Sequence, residues 1–400
     1  MLKKIFLSTS NVQTVPAVNG GAIETLIDIL IAENEVKKEC FFYVLCVHNK
    51  IAEEKAKNLK YTKIIYYKSL NDFKFVDFFK IEIYQYIYFK LLSLINGKNC
   101  PPRYYFFSYQ LCKRIKPDYF VAEGGIYRNY ELIKRVIEPG KRFAHLHRTV
   151  EGNHELHSLF PNAIAVSNYI RDKYINSSQR SNISVETVYN CCDEKVFLEK
   201  PQQALVQKKK DQFNIKDDDF IIVFTGRVVE EKGVLELIKA VKQINISKIK
   251  LFIIGSPFFK EYGETKYRKE VQRYCDLYDF IIMTGYVPNQ EIPIYYEISD
   301  LSITPSVYEE PGAITPLEAM SFGLPVIITD SGGMKEYQKD DCLKVVNRKP
   351  NLINNLSKEI KFLYENPKHM KSMSIAGQKR SKDFSSADFY KNFLAVFDIK

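Results

Sequence analysis

Two glutamates eight residues apart, Glu310 and Glu318, stand on either side of a turn that opens a short helical pattern. The turn is the run Gly312-Ala313-Ile314-Thr315. The opening of a helix leaves backbone N–H groups unpaired and carries partial positive charge, so it suits an anion such as a diphosphate. A carboxylate beside it can accept hydrogen bonds from the paired hydroxyls of a ribose or a hexose. This spacing therefore predicts a site for a sugar attached to a diphosphate.

Two cations lie on a second glycine-bearing loop, Thr225–Gly233. The loop follows an apolar strand pattern and precedes an amphipathic helical one, and loops at the carboxyl ends of parallel strands form the ligand side of such sheets. Arg227 and Lys232 can converge there on a diphosphate, Arg227 as a planar fork and Lys232 as a point charge. Taken alone, the loop would be better interpreted as carrying two solvated cations. Together with the glutamate segment, they favour phosphate binding.

The segment Pro305–Pro325 resembles the signature of the family 4 retaining glycosyltransferases, the glycosyl transferases group 1, which have the GT-B fold. The shared order is Pro-Ser, a Glu, a second Glu eight positions on, and then Ala-Met-x-x-Gly-x-Pro-Val-Ile. The family also carries Gly-Arg and then Lys-Gly, which this chain has as Gly226, Arg227, Lys232 and Gly233. The resemblance is to members that act in bacterial surface-polysaccharide synthesis, and it is strongest over residues 220–330.

The resemblance implies a role for the charged residues of both loops. Arg227 and Lys232 would stabilise the charge of the departing diphosphate. Glu310 would contact the transferred sugar, and Glu318 would hold the ribose hydroxyls. The backbone N–H groups of residues 312–315 would face the sugar and the phosphate.

Two features of this segment leave room for other interpretations. The chain has Pro311-Gly312-Ala313 where many members of the family have Gly-Phe-Gly, which leaves the identity of the sugar open. The run from Thr315 to Glu318 is also a capping-box pattern with proline at the first helical position, so Glu318 has a purely structural alternative. Glu309 is expected to be a solvated neighbour of the site.

Further positions are implied by the resemblance in both halves of the chain. Gly20 and Gly21 follow the first strand, where paired glycines allow close backbone approach or positive φ. They resemble the family's Gly-Gly loop, which faces the donor diphosphate and the acceptor, although a plain turn is the alternative. His147 ends a predicted strand, where the family often has a histidine near the sugar. In the second half, the loops at Gly255 and at Tyr286-Val287 would approach the nucleotide.

No metal site is predicted. His145, His147, His154 and His157 raise the idea of zinc, but no carboxylate or thiol completes a convincing set with them. Asp217-Asp218-Asp219 could be taken for the Asp-x-Asp metal site of the other glycosyltransferase fold, yet it precedes a strand rather than ending one. The eight cysteines show no CxxC spacing, so we expect buried free thiols in a reducing cytoplasm.

Strand-like and helix-like segments alternate along both halves, with seven strand candidates in the first and six in the second. This alternation predicts two doubly wound α/β domains, and a chain of 400 residues is long enough for two cores. We predict an N-terminal Rossmann-like acceptor-binding domain at 1–197, a linker at 198–216 and a Rossmann-like nucleotide-sugar-binding domain at 217–385. The resemblance implies a GT-B arrangement in which the domains face a cleft, with the C-terminal helix at 386–400 packing back on the first domain.

The net charge of +10 is uneven, because residues 1–197 carry +8 and residues 198–400 carry +2. A basic first half suits an anionic acceptor or an anionic membrane face, although a merely soluble basic surface is equally open. Segment 73–96 is rich in aromatic residues and lysines, which predicts either an interfacial membrane helix or a helix packed on the sheet. Nucleic acid is not an expected partner, because no compact basic-aromatic module stands out. Neither a signal peptide nor a membrane-spanning helix is expected.

The resemblance implies a retaining hexosyltransferase that moves a sugar from a nucleoside diphosphate, expected to be uridine-linked, to a cell-surface or lipid-linked glycan. It is expected to work without metal in the cytoplasm, either free or at the inner face of the membrane. Two alternatives stay open: a non-catalytic GT-B subunit that binds glycan or stabilises a partner transferase, and a nucleotide-sugar epimerase of the same architecture. A non-catalytic subunit should have lost the phosphate cations or the glutamate pair, and all four residues are present.

Overall fold

The computed structural model describes residues 2–68, 103–178, 183–256 and 265–399. The predicted aromatic segment 73–96 lies outside these ranges. The chain forms two compact units. The first comprises Met1–Val166, Arg171–Val188 and Tyr390–Lys400, and the second comprises Ser167–Ile170 and Tyr189–Phe389.

The first unit is built on a parallel sheet that contains all seven predicted strands. They are β1 (Lys3–Thr9), β2 (Cys40–Val47), β3 (Thr62–Tyr67), β4 (Tyr119–Glu123), β5 (Arg142–Leu146), β6 (Asn162–Ala165) and β7 (Ser184–Thr187). The strand order is β3-β2-β1-β4-β5-β6-β7, and every pairing is parallel. In the described ranges of this part of the chain, the α-helices are α1 (Ala22–Lys37), α2 (Lys50–Lys55), α3 (Arg103–Ile115), α4 (His154–Leu159) and α5 (Asn168–Ser177). In the same ranges, 3-10 helices cover Tyr127–Arg135 and Pro139–Lys141.

The second unit is built on a parallel sheet that contains the six remaining predicted strands. They are β8 (Phe220–Thr225), β9 (Ile249–Ile254), β10 (Ile281–Gly285), β11 (Leu301–Thr304), β12 (Val326–Thr329) and β13 (Lys344–Val346). The strand order is β10-β9-β8-β11-β12-β13. The α-helices are α6 (Glu194–Phe197), α7 (Gln203–Gln212), α8 (Val234–Ile244), α9 (Lys266–Leu277), α10 (Ile292–Glu297), α11 (Thr315–Phe322), α12 (Leu352–Glu365), α13 (Pro367–Ser381) and α14 (Ser386–Ala395). Four 3-10 helices cover Glu230–Lys232, Asn289–Glu291, Gly332–Tyr337 and Lys382–Phe384.

Two segments show how the chain is divided between the units. Residues 198–216, predicted as the linker, contain the helix α7 and belong to the second unit. The end of α14 belongs to the first unit, where the Tyr390 hydroxyl donates to Asn34 Oδ1 over 2.8 Å. The Tyr119 hydroxyl donates to the carbonyl oxygen of Phe397 over 3.0 Å. The final helix is thus tied to α1 and β4 of the first unit.

Most of the strands are buried because their side chains are apolar on both faces, as parallel strands covered by helices require. The edge strands β3 and β7 are more exposed. In the second unit, Ile222 and Phe224 of β8 pack in one core with Leu237 and Ile238 of α8. The helix presents this apolar stripe because its large aliphatic residues recur at intervals of three or four. Burial of both layers fixes the sheet and therefore the positions of the loops at its edge.

Each sheet has one point where neighbouring strands send their connections in opposite directions. It lies between β1 and β4 in the first sheet and between β8 and β11 in the second. Ligands of open α/β sheets bind outside the carboxyl ends of the strands at such a switch point. The loops that leave these four strands are therefore the ones to inspect for a site.

The described cysteines agree with the expectation of buried thiols. All seven are free, and six of them are buried, with Cys275 partly exposed. Burial raises the pKa of the Cys192 thiol to about 12, and the same cause raises the pKa of Cys40 to about 12. Thiols that stay protonated in this way are poor nucleophiles, so they belong to the core rather than to a site.

Candidate functional site

The loops that follow β8 and β11 meet at the switch point of the second sheet. Gly233 ends the 3-10 turn Glu230–Lys232 with φ +68°, and a Cβ built there would overlap the carbonyl oxygen of Pro305. Only glycine allows the two loops to approach this closely. The contact places Lys232, from the first loop, beside Glu310 from the second.

Glu310 is the centre of a buried polar cluster. Its Oε1 lies 2.5 Å from Lys232 Nζ and accepts from the Ser306 hydroxyl at 2.5 Å, and its Oε2 accepts from the Tyr308 hydroxyl at 2.7 Å. Glu310 is buried, whereas Lys232 keeps partial exposure. A buried carboxylate needs a cation and hydrogen-bond donors of this kind. A carboxylate has about four lone-pair positions, so one remains for a ligand hydroxyl after these three contacts.

Arg227, the other predicted cation, is exposed. Burial and the neighbouring Glu310 raise the pKa of the Tyr308 hydroxyl, and the charge of Arg227 opposes that rise, so Arg227 lies near Tyr308. Lys232 Nζ lies 5.4 Å from the centroid of the Tyr308 ring. The two cations therefore lie around one tyrosine, with Lys232 anchored by Glu310 and Arg227 open to solvent.

The turn after β12 holds the backbone of Glu310. The N–H of Glu310 donates to Ser331 Oγ over 2.8 Å, and the N–H of Gly333 donates to the carbonyl oxygen of Glu310 over 2.8 Å. Gly332 has φ +43°, and a Cβ there would overlap the carbonyl oxygen of Glu310. Sequence reasoning missed this turn because its role depends on the adjacency of β11 and β12, although paired glycines after a strand were an available signal.

Glu309 is an exposed neighbour of the site, as the sequence suggested, but it is also paired. Its Oε1 lies 2.6 Å from Arg348 Nη2, and its Oε2 accepts the N–H of Gly332 at 2.6 Å. Arg348 Nε also pairs with Asp330 Oδ1 at 3.0 Å. Burial alone would raise the pKa of Glu309, but the hydrogen bonds from Arg348 and Gly332 outweigh it and lower the pKa. Glu309 therefore ties the site loop to the ends of the two following strands.

The turn at residues 312–315 is held by side chains from elsewhere in the second unit. Asn190 Nδ2 donates to the carbonyl oxygen of Gly312 over 2.6 Å. Ser167 Oγ donates to the carbonyl oxygen of Pro311 over 2.5 Å. These bonds occupy the carbonyl oxygens of Pro311 and Gly312, and the opening of α11 adds N–H groups that can serve a ligand.

Glu318 is buried in α11 and does not cap it. The helix begins at Thr315 with Ile314 in the capping position, and among the described residues no side chain caps it. The capping-box alternative is therefore wrong, because the pattern is displaced by one residue from the position a cap needs. Burial, and then the nearby Asp193, raises the pKa of Glu318 to about 8. A carboxyl group with this pKa stays mostly protonated at neutral pH, and such a strongly shifted pKa marks a residue as a functional-site candidate.

Glycines end three neighbouring strands of the second sheet, at Gly226, Gly255 and Gly285. Their φ angles are +150°, +145° and +73°. A Cβ on Gly255 would overlap the carbonyl oxygen of Gly226, so the strand ends touch through bare backbone. Tyr286 and Val287 follow directly and are partly buried. Four predicted nucleotide-binding positions, Gly226, Gly255, Tyr286 and Val287, thus share one edge of the second sheet.

The predicted glycine pair of the first unit lies against a carboxyl group that sequence reasoning did not single out. Gly20 and Gly21 have φ +78° and +121° and lead into α1. Glu24, in the first turn of that helix, folds back so that a Cβ on Gly21 would overlap its carboxylate. Burial is the main cause that raises the pKa of Glu24 to about 7, and the charges of Asp28 and Glu123 add to it.

His145 and His147 share one carboxylate at the carboxyl edge of the first sheet. His145 Nδ1 and His147 Nε2 each lie 2.8 Å from Glu123 Oε2. The three donor atoms lie within 4.8 Å of one another, a set able to hold a metal ion. The expectation that no carboxylate completes a set with these histidines is therefore wrong. Glu123 ends β4 and lies opposite His145 in the parallel pairing of β4 with β5. Sequence reasoning missed this pairing because the two residues are far apart along the chain.

The other residues weighed for metal lie elsewhere. His154 is exposed, and His157 Nε2 lies 3.0 Å from Ser178 Oγ. Asp218 and Asp219 pair with Lys248 and Lys250 at 2.7 and 2.8 Å, just before β8 begins. The acidic run therefore lies at the amino end of β8, at the opposite edge of the sheet from the two site loops.

A family model described as glycosyl transferases group 1 matches residues 206–380, the range that holds Arg227, Lys232, Glu310 and Glu318. This stretch, somewhat less than half of the chain, is therefore similar to the glycosyl transferases group 1 family. The chain is 29% identical over 215 residues to the lipopolysaccharide 1,2-N-acetylglucosaminetransferase of Salmonella typhimurium, covering 53% of this chain and 54% of that protein. It is 24% identical over 199 residues to the alpha-monoglucosyldiacylglycerol synthase of Acholeplasma laidlawii, covering 48% of this chain and 46% of that protein. The matches thus span about half the length of these two relatives.

Solved structures match the fold over nearly the whole chain. HepE from Anabaena, solved in complex with UDP-glucose, superposes with a TM-score of 0.74 at 16% identity, covering 98% of this chain and 99% of that one. WaaG, a glycosyltransferase involved in lipopolysaccharide biosynthesis, gives a TM-score of 0.66 at 13% identity, covering 99% of each chain. The predicted GT-B fold of two doubly wound domains is confirmed. In the part of the chain that is described, no helix is both long and apolar enough to cross a bilayer.

Proposed function

We propose that this protein is a retaining glycosyltransferase that moves a sugar from a uridine diphosphate sugar to a hydroxyl of a glycan, without a bound metal ion. The observation that carries the proposal is the contact between Lys232 Nζ and Glu310 Oε1 at the switch point of the second sheet. It sets a cation and a carboxylate side by side where a sugar diphosphate would bring an anion and hydroxyls together.

The proposed chemistry needs charge stabilisation at the leaving group. As the bond from the sugar carbon to the diphosphate oxygen breaks, negative charge grows on the β-phosphate. Arg227, Lys232 and the N–H groups at the opening of α11 would stabilise that charge in place of a divalent ion. The acceptor oxygen would attack from the same face, and its proton would pass to the departing phosphate. No protein nucleophile is then required.

Glu310 would serve this chemistry in two ways. In the free protein it holds Lys232 in place through the 2.5 Å contact, so the ammonium group needs little reorganisation when the diphosphate arrives. Its remaining lone-pair position would accept from a hydroxyl of the transferred sugar. Glu318 would hold the ribose hydroxyls, and the glycine edge at Gly226 and Gly255 would lie beside the nucleotide.

The donor and acceptor classes rest on similarity and on charge. HepE has been solved with UDP-glucose and also with UDP and glucose, and the names of the two relatives above refer to a lipopolysaccharide and a diacylglycerol glycolipid. The charge of +8 over residues 1–197 suits an acceptor presented at an anionic membrane. We therefore propose a cell-surface or lipid-linked glycan acceptor and a place at the cytoplasmic face of a membrane.

A panel of nucleotide sugars tests the donor site. We expect a uridine-linked sugar to raise the melting temperature and to be hydrolysed slowly without acceptor. Lys232→Ala and Arg227→Ala should each lower turnover by about 10²–10³-fold, the scale for losing one preorganised charge stabiliser. The matched control is Lys248→Ala, which removes a paired lysine at the opposite edge of the same sheet. Wild-type turnover in Lys232→Ala would contradict the phosphate assignment, and binding without any turnover would support the non-catalytic subunit instead.

The membrane part of the proposal has its own test. Flotation with vesicles rich in anionic lipid should recover the protein at low salt and lose it as salt rises, because the attraction is screened within about 10 Å at 0.1 M. Vesicles of neutral lipid are the control. Equal recovery on both kinds of vesicle, or none on either, would exclude electrostatic docking and favour a soluble acceptor.

A further inference from the structure

In the first unit, His145 and His147 both hydrogen-bond to one carboxylate oxygen, that of Glu123. The side chains of Glu123 and His145 are each 1% exposed, and that of His147 is 8% exposed. Both rings direct a nitrogen to the same oxygen, Glu123 Oε2, at 2.8 Å. His147 is the member of this cluster that reaches the surface at the carboxyl edge of the sheet.

The hydrogen bonds to Glu123 indicate which ring nitrogens of His145 and His147 carry protons. An ionised carboxylate only accepts hydrogen bonds, so each ring must donate to Oε2, His145 from Nδ1 and His147 from Nε2. Burial opposes ionisation of Glu123, but the adjacent His145 and the hydrogen bonds from both rings lower the pKa of Glu123 to about 2. Burial, and then the adjacent His145, lowers the pKa of His147 to about 4. A neutral ring that donates from Nε2 carries a lone pair on Nδ1.

A metal ion bound by the same three residues is the competing interpretation. A His-x-His strand end with a carboxylate on the adjacent strand is a donor set that suits zinc. Coordination through His145 Nδ1 would force the proton of that ring onto Nε2. Among the described residues, His145 Nε2 is a buried atom with no hydrogen-bond partner. Glu123 Oε1 is unpaired in the same way, so orphaned atoms alone do not decide between the two interpretations. The two N···O separations do, because 2.8 Å is the distance of a charge-assisted hydrogen bond. Tetrahedral zinc ligands held at about 2.0–2.1 Å from the ion stand about 3.3 Å apart, so the structure favours protons over a metal.

We propose that Glu123 is a positioning residue that fixes the Nε2–H tautomer of His147, so that His147 Nδ1 is presented as a hydrogen-bond acceptor for a hydroxyl of a bound sugar. The role of Nδ1 as an acceptor for a sugar hydroxyl rests on the proposed function, whereas the assignment of the tautomer does not. The same carboxylate fixes the orientation of the ring, because rotation about the side chain would break the bond to Oε2. The ligand class is therefore a neutral polyol group rather than an anion, since a neutral ring with a lone pair on Nδ1 offers no positive charge.

Nuclear magnetic resonance of the free protein tests the tautomer directly. The chain has six histidines, so long-range proton–nitrogen correlations of a histidine-labelled sample are few enough to assign, with His147→Asn identifying its own signals. We expect His147 to be neutral and protonated at Nε2 near pH 7. A ring protonated at Nδ1, a charged ring, or a ring shifted by stoichiometric bound zinc would overturn the assignment. This measurement needs no variant of Glu123 to fold.

Glu123→Gln tests the positioning role. The amide has one acceptor oxygen and one donor nitrogen, so it cannot accept from both rings in the same way, and the His147 signals should change. Turnover should fall by about 10–100-fold, the scale for losing the partner that orients a functional histidine. Tyr127→Phe is the matched control, because the Tyr127 hydroxyl donates to the carbonyl oxygen of His145 over 2.5 Å without touching the carboxylate. The control should lower the melting temperature while leaving the tautomer and the turnover close to wild type.

The outcomes separate this inference from the proposed function. If His147 has the expected tautomer but no nucleotide sugar is turned over, the transferase proposal fails and the tautomer stands. If sugar transfer occurs and Glu123→Gln leaves both the His147 spectrum and the turnover unchanged, the positioning role is refuted and the transferase proposal stands.

Discussion

Binding of a nucleotide should expel a proton from Glu318. In the free protein, burial and the neighbouring Asp193 raise the pKa of this carboxyl group to about 8. At pH 7 a group with that pKa is about 90% protonated. Ribose hydroxyls that donate to Glu318 favour its ionised form, so binding should release nearly one proton per nucleotide.

Calorimetry measures this proton directly. Uridine diphosphate is titrated at pH 7 in two buffers with different ionisation enthalpies, and the difference in heat gives the number of protons released. The diphosphate has protons of its own, so Glu318→Gln supplies the background under identical conditions. We expect the wild-type protein to release about one proton more than the variant. Between pH 6 and pH 8 its affinity should improve relative to the variant by up to about tenfold per pH unit.

The same group makes a prediction for the free protein. The unfolded carboxyl ionises near 4.5 and the folded one near 8, so stability is highest at low pH and declines as pH rises between these values. Over that interval the decline amounts to about 5 kcal/mol at 1.36 kcal/mol per pH unit, as an upper bound. Glu318→Gln removes this penalty and should unfold at higher denaturant concentration at pH 8 but not at pH 4. Equal proton release in both proteins, or a variant less stable than wild type at pH 8, would refute the assigned protonation state.

Three further predictions concern other parts of the molecule. Glu24→Gln should stabilise the protein at pH 8 by up to about 3 kcal/mol and not at pH 4, because burial raises the pKa of Glu24 from 4.5 to about 7. Denaturant titrations at both pH values measure the change in the free energy of unfolding. Equal stabilisation at both pH values would contradict the raised pKa as its cause. Gly332→Ala should lower the free energy of unfolding by about 1–3 kcal/mol, since the φ of Gly332 is +43° and a Cβ there would overlap the Glu310 backbone. Gly140→Ala is the control, because a Cβ there meets nothing within 4 Å, and it should be nearly neutral. Scanning calorimetry of both variants measures the difference. Activity should persist in excess EDTA, because the proposed leaving-group stabilisers are protein groups; loss that manganese restores would point to a metal-dependent enzyme.

Local patterns were enough to predict most of the fold. Short apolar runs separated by amphipathic segments predicted all thirteen strands, because buried parallel strands must be apolar on both faces. The rule that ligands meet the carboxyl ends of parallel strands predicted that the loops bearing Lys232 and Glu310 belong to one site. Their direct contact follows from the adjacency of β8 and β11, which only the structure shows.

The residues that sequence reasoning missed are those whose roles depend on register between strands. Glu123 stands opposite His145 only because β4 and β5 pair in one particular register. Glu309 is exposed as expected, but its pairing with Arg348 was missed because Arg348 follows a different strand, 39 residues later. The protonation of Glu318 depends on burial, which no spacing along the chain measures. Segment 73–96, with its basic and aromatic character, stays a prediction.

The interlocking of the Glu310 loop with the turn at Ser331–Gly333 has a consequence for protein engineering. Gly332 and Gly333 leave no room for a side chain, because a Cβ there would overlap the carbonyl oxygens of Glu310 and Pro311. A mutant library that varies them to alter sugar preference would therefore return mostly destabilised clones. Tyr308 is also constrained, since its hydroxyl donates to Glu310 and its carbonyl oxygen accepts from Ser331. Saturation mutagenesis aimed at a new donor sugar should therefore start at the partly buried Ala313 and leave the glycine turn as the fixed frame.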